Sequence, residues 1–158
     1  GSTADIFDYE STIKAGNGST RSVGSDLGVQ LLTSLSDVGA NAISTNSSGV
    51  LSLNYAEAAL GSDLNVSGAS LSTILDEVVA TLNSSSSTKS GDAKFAKGGT
   101  STDMLLVFFE DAASGTDITQ DAGIFRYQEG GNSNFVSSEI SLVAVIEDVT
   151  TFATENIV

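Results

Sequence analysis

Met104-Leu105-Leu106-Val107-Phe108-Phe109 is an unbroken apolar run held between Asp103 and Glu110. Such a run is too short for a buried helix, and its Val and paired Phe suit a pleated surface. It does not alternate with polar residues, so it predicts a strand covered on both faces. Downstream, Ile124-Phe125-Arg126-Tyr127-Gln128 lies between Gly123 and Gly130-Gly131 and predicts a second strand. Ile140 to Ile146, stopped by Glu147-Asp148, predicts another. Polar stretches separate these neighbours, which is the pattern of an antiparallel meander. Upstream, Val50-Leu51-Ser52-Leu53-Asn54-Tyr55 alternates, placing Leu51, Leu53 and Tyr55 on one face. Leu27 to Leu35 is open to helix or strand.

One segment follows the helical period. Leu71, Ile74, Leu75, Val78, Val79 and Leu82 recur at the spacing of one helix face. Ser70 supplies an N-cap, and Asn83 with the following serines ends the element. The spacing predicts an amphipathic helix over about 70–83, with its stripe packed on a sheet. The fold expected is mainly β: an antiparallel sandwich or roll with this one helix. Residues 1–158 read as a single β-rich domain with a soft internal linker at about 84–92, where the sequence runs Ser84-Ser85-Ser86-Ser87-Thr88-Lys89-Ser90-Gly91-Asp92.

Composition narrows the chemistry. The chain has 158 residues with no His, Cys, Pro or Trp. It cannot build a Ser-His-Asp or Cys-His catalyst, a zinc finger or a disulfide framework. Its net charge is −14, from 20 acidic and 6 basic residues. That balance opposes nucleic acid and anionic membranes, whose phosphates are met by Lys and Arg. No run reaches the length of a membrane helix, so no membrane insertion is expected. Hydrophobic residues are 40% of the chain, enough for a core rather than a disordered acidic tail. Charge is uneven: residues 99–158 hold ten carboxylates and a single basic residue, Arg126.

Carboxylates are therefore the main functional groups. Glu110, Asp111, Asp117, Asp121 and Glu129 surround the loop between two predicted strands. Such a loop can fold several oxygens around Ca2+, although the spacing is not that of an EF-hand. The plain alternative is a solvated acidic loop. A carboxylate pair can also hydrolyse glycosides, but nothing in the spacing selects one, and a sugar platform has only three Tyr and no Trp. Gly16-Asn17-Gly18 and Gly98-Gly99 lack the Lys of a phosphate loop and read as turns. Asn-x-Ser/Thr sequons occur at Asn17, Asn46, Asn65 and Asn83.

Two segments resemble a known family. Gly1-Ser2-Thr3-Ala4-Asp5-Ile6-Phe7 resembles a final, partial unit of a repeats-in-toxin (RTX) array, with Asp5 and Phe7 at its acidic and apolar positions. The stretch from Ser138 to Glu147, then Thr150-Thr151-Phe152 and Glu155-Asn156-Ile157-Val158, resembles the tail of bacterial type I secreted proteins. The resemblance implies Ca2+ as cofactor, with Asp5 as half of a site. It implies an uncleaved secretion signal at Glu155, Asn156, Ile157 and Val158, and a type I exporter as partner. The start Gly1-Ser2-Thr3 reads as a processed or trimmed product. The expected function is non-enzymatic: a secreted, calcium-stabilised structural protein of the bacterial cell surface or matrix. It would assemble with copies of itself as a fibre, surface-layer or adhesin module. The alternative is a C-terminal type I secretion and calcium-triggered folding module of a larger exoprotein.

Overall fold

Asp103–Phe109 is the strand on which the others are laid, and we name the elements of the computed structural model in chain order. They are β1 (Ile13–Lys14), β2 (Thr20–Arg21), β3 (Gly28–Leu32), β4 (Gly49–Leu53), α1 (Leu71–Asn83), β5 (Asp103–Phe109), β6 (Gln120–Gln128), a 3-10 turn (Ser137–Glu139) and β7 (Ile140–Val149). The structure describes residues 13–21, 28–32, 41–53, 60, 70–83, 95–110, 120–149 and 152. The expected linker at 84–92 lies outside the described residues.

Met104 to Phe109 are all buried, as a strand covered on both faces requires. A buried strand must also pair along both edges, because orphaned backbone groups are costly. β6 runs antiparallel along one edge from Asp103↔Gln128 to Phe109↔Ala122. The opposite edge is shared. β4 runs parallel from Val50↔Leu105 to Leu53↔Phe108, β1 joins at Lys14↔Asp103, and Leu60 bridges Glu110. β7 continues the meander antiparallel to β6, while β3 lies parallel to β4.

The sheet is thus mixed, which corrects the expected all-antiparallel architecture. β5, β6 and β7 do form the predicted meander. Parallel pairing of β4 with β5 needs a crossover long enough to return the chain to the same end of the sheet. The segment between them contains α1, so the helix is part of that crossover. The part of the ambiguous stretch 27–35 that the structure describes, Gly28–Leu32, is a strand, β3. β4 is buried at every residue, including Ser52, so its alternating sequence did not mark a wet face.

α1 starts where the sequence places its cap. The Ser70 Oγ accepts the Thr73 N–H at 3.3 Å, satisfying a first-turn donor. Ile74, Val78 and Leu82 are buried, and Leu75 and Val79 pack partly buried against the core. The helix lies against β7 and the 3-10 turn. At its C-terminal end, the Asn83 Nδ2 donates to the Phe135 carbonyl at 2.8 Å and its Oδ1 accepts the Phe135 N–H at 3.0 Å. One side chain thereby copies a strand's two-point pairing. Phe135 packs on Tyr127 at 5.2 Å between ring centroids, and Phe108 meets Phe125 edge-on at 5.8 Å. No described helix is long and apolar enough to cross a membrane.

Truncating the helix stripe should test this packing. Ile74→Ala is expected to cost about 2–5 kcal/mol through lost burial and a residual cavity. Urea unfolding should show it, whereas the exposed Ser72→Ala should stay within about 0.5 kcal/mol of the parent.

Candidate functional site

The structure divides the expected calcium ligands. Glu110 and Asp121 do meet across the β5–β6 end: the Glu110 N–H donates to the Asp121 carbonyl at 3.0 Å, and its Oε1 accepts the Asp121 N–H at 3.2 Å. Asp111 and Asp117 lie outside the described residues, as do Asp5 and the terminal Glu155, Asn156, Ile157 and Val158. Glu129 does not join Glu110 and Asp121, which corrects its place in that set. It follows β6, whose extended backbone separates positions 121 and 129 by about 26 Å at the usual rise. Among the described residues no group of three or more carboxylates could hold a metal ion.

Glu129 belongs instead to a cluster at the other end of the sheet, centred on Lys97. The Lys97 Nζ lies 3.1 Å from Glu129 Oε1 and 2.9 and 2.8 Å from the two Glu139 oxygens. It also donates to the carbonyls of Asn132 at 2.9 Å and Asn134 at 3.1 Å. The ammonium stands 5.4 Å from the centroid of the Phe135 ring, adding a cation–π contact. The three charged side chains are nearly dry: exposure is 12% for Lys97, 5% for Glu129 and 3% for Glu139.

Each member is positioned by local structure. Lys97 lies in the extended segment after α1, tied to the helix where the Phe95 N–H donates to the Leu82 carbonyl. Glu129 continues from β6, with its N–H on the Thr102 carbonyl at 2.9 Å. Glu139 closes the 3-10 turn that launches β7. Between the two carboxylates the chain turns through Gly130 and Gly131. A Cβ on Gly130 would lie 2.9 Å from Glu139 Oε1, so its absence lets the Gly130 N–H donate there. Gly131 has φ +84°, a left-handed turn that L side chains rarely adopt.

The electrostatics favour holding charge over moving protons. Burial pushes the Glu139 carboxyl up, but hydrogen bonds from Lys97, Asn132 and the Gly130 N–H, with the Lys97 charge, outweigh it. The net result lies below the usual carboxylate value. Burial drives the Tyr127 phenol well above its ordinary range, reinforced by its hydrogen bond to Glu129 and by the Glu129 and Glu139 charges. The Tyr127 hydroxyl donates to Glu129 Oε2. The lysine amine is turned onto two carboxylates and two backbone carbonyls, so it is held in the cluster rather than presented to a substrate. Chemically the cluster is a clasp. It joins the crossover segment, the end of β6 and the start of β7.

Sequence reasoning missed Lys97, Glu139 and Tyr127 as partners. Gly130-Gly131 and the stranded Lys in Phe95-Ala96-Lys97-Gly98-Gly99 were the only signals, and both also fit ordinary turns. A second ion pair, missed as well, braces β5 to β6. Arg126 holds Asp103 through Nε at 2.7 Å and Nη2 at 2.5 Å. Comparison with family models, curated proteins and solved structures finds no match to this chain.

Two outcomes test the clasp. Lys97→Met leaves two buried carboxylates facing each other and should cost about 3–5 kcal/mol in urea unfolding. The pH dependence follows from the lowered Glu139 value. Its stabilising contribution is fully present above the ordinary carboxylate range and is lost as pH falls through that range to the depressed folded value. Stability of the parent should therefore drop on acidification. Glu139→Gln should be less stable at neutral pH and show a shallower acid slope. An unchanged slope would remove Glu139 from the clasp.

Proposed function

We propose that this chain is a self-contained, non-enzymatic structural module of a larger secreted bacterial surface or matrix protein. It leaves the cell through a type I exporter and completes its fold outside with Ca2+. The observation that carries the reading is the form of the outer edge of β7. That edge pairs with no described strand, but its register against β6 slips twice. Ile124 and Phe125 face Ala144 and Leu142, and Gln120 and Ala122 face Val149 and Ile146. Each slip puts an extra residue on β7. Bulges of this kind twist an edge out of reach of a pairing partner. β5 offers no such edge, since β6 takes one side and β4 with β1 takes the other.

Charge supports the calcium part of the reading. In the register, Glu147 and Asp148 fall opposite Asp121, and Asp121 adjoins Glu110. Acidic positions thus gather at one end of the sheet, away from Lys97 and Arg126, and a divalent cation would relieve their repulsion. Within this reading the curled sheet closes as a sandwich or roll. The second reading is a subunit that assembles with its copies through the edge of β7, using the short regular stretches beside its bulges.

Light scattering and electron microscopy of the purified chain, with Ca2+ and with chelator, separate the two. We expect a monomer at high concentration whose melting temperature rises with millimolar Ca2+. Filaments or large closed oligomers would transfer the case to the assembling subunit. A melting temperature indifferent to both Ca2+ and chelator would remove calcium from either reading.

A further inference from the structure

The four sequons do not survive folding equally. N-linked transfer needs a presented Asn carboxamide with a Ser or Thr hydroxyl two residues on. Asn46 is fully buried. Its Nδ2 donates to Gln30 Oε1 at 2.9 Å and to the Val50 carbonyl at 3.3 Å. Its Oδ1 accepts the N–H groups of Ser48 at 3.1 Å and Gly49 at 2.8 Å. The Asn83 carboxamide is spent at both atoms on the Phe135 backbone. Asn65 lies outside the described residues.

Asn17 is placed differently. Lys14 pairs with Thr20, and the Ala15 N–H donates to the Ser19 carbonyl at 2.9 Å, leaving Gly16-Asn17-Gly18 as the tip of the β1–β2 hairpin. Gly18 has φ +86°, the left-handed position that such a short loop requires. The tip is anchored from beneath. The Asn17 N–H donates to the Asn46 carbonyl at 3.0 Å, and Gly16 approaches Ile43 so closely that a Cβ would lie 1.6 Å from its carbonyl oxygen. The Asn17 side chain is exposed. Its Oδ1 accepts the Ser19 N–H at 3.0 Å and the Ser19 hydroxyl at 2.6 Å. The planar amide therefore carries Nδ2 on the side away from Ser19, with no acceptor among the described residues. Acceptor nitrogen, hydroxyl and turn are thus presented together on a braced tip.

We propose that Asn17 is an acceptor of an N-linked sugar, delivered from a glycosyl diphosphate donor by a transferring enzyme. In the step, the Asn17 Nδ2 forms a bond to the sugar C1 as the C1–O bond to the diphosphate breaks. The diphosphate leaves with the electron pair, and the Nδ2 proton passes to a base of the enzyme. Nucleotide-linked and lipid-linked sugars share this chemistry. The inference rests on the exterior reading given above, yet its readout is separate, since oligomer size and calcium response report on that reading and a peptide map reports on this one.

Trypsin cuts after Lys14 and Arg21, releasing Ala15–Arg21, in which Asn17 is the sole Asn. The folded full chain is offered to an N-glycosyltransferase with a nucleotide-linked hexose, and in a second arm to an oligosaccharyltransferase with a lipid-linked glycan. We expect Ala15–Arg21 to gain one glycan in at least one arm, and the arm identifies the donor class. Asn46 and Asn83 share the tryptic peptide Ser22–Lys89 with Asn65, and fragmentation that assigns the site within it should place sugar on Asn46 or Asn83 only after the chain is unfolded. Asn17→Gln and Ser19→Ala should each abolish the gain on Ala15–Arg21. Refusal of the folded chain in both arms overturns the proposal, as does a gain that persists in Asn17→Gln. The same map on protein recovered from its producing cells should show the glycan, and a bare Ala15–Arg21 peptide there also overturns it.

Discussion

The constraint on which the structure depends is the burial of β5 on both faces. Once Met104 to Phe109 leave water, every backbone group along two edges needs a partner. One edge is filled by the next strand in sequence, β6, which pairs antiparallel. The other edge cannot be filled by the same device. It is filled by β4, and parallel pairing forces the chain through a crossover that carries α1. The helix stripe is then the cover over part of the sheet, and its position follows from how β5 is paired.

The clasp answers a problem that this topology creates. The crossover ends at residues 95–99, the meander turns at 129–139, and neither segment has a ladder to fix it. Lys97 fixes both by drawing carboxylates and carbonyls from the far segment onto one ammonium. An isolated buried ion pair is a weak source of stability, since desolvation offsets the Coulomb gain. Here the carboxylates also take N–H groups from Gly130, Gly131 and Val136, so their lone pairs are met as well. The cluster therefore specifies one arrangement of two loops, and losing Lys97 leaves both carboxylates buried without their cation.

What the sequence showed was local, and what it hid was the pairing between distant segments. The helix over 71–83 was legible because six apolar positions repeat at helical spacing and Ser70 caps it. β5, β6 and β7 were legible as bounded apolar runs, and the meander followed from adjacency. The parallel neighbours were not, because Gly28–Leu32 and Gly49–Leu53 carry no signal of which strand they meet or in which direction. The Glu110–Glu129 grouping failed for a related reason. Proximity in sequence was read as proximity in space, while the extended β6 between them carries its two ends far apart. Lys97 and Glu139 lie 42 residues apart, and no spacing rule connects them.

The two cations at the sheet's Lys97 end also explain the shape of the charge distribution. Past residue 98 the chain has ten carboxylates and Arg126 alone to balance them. Arg126 takes Asp103, and Lys97, from just before that boundary, takes Glu129 and Glu139. These three paired carboxylates lie near the β5 start and the β6 end. The opposite end of the same strands holds Glu110 and Asp121, with Glu147 and Asp148 in register beside them. Among the described residues, folding therefore separates these ion pairs along the strand axis from a second group of acidic positions at the far end. Since like charges at strand spacing repel with little screening inside a Debye length, that acidic end is where ionic conditions act most directly on the fold.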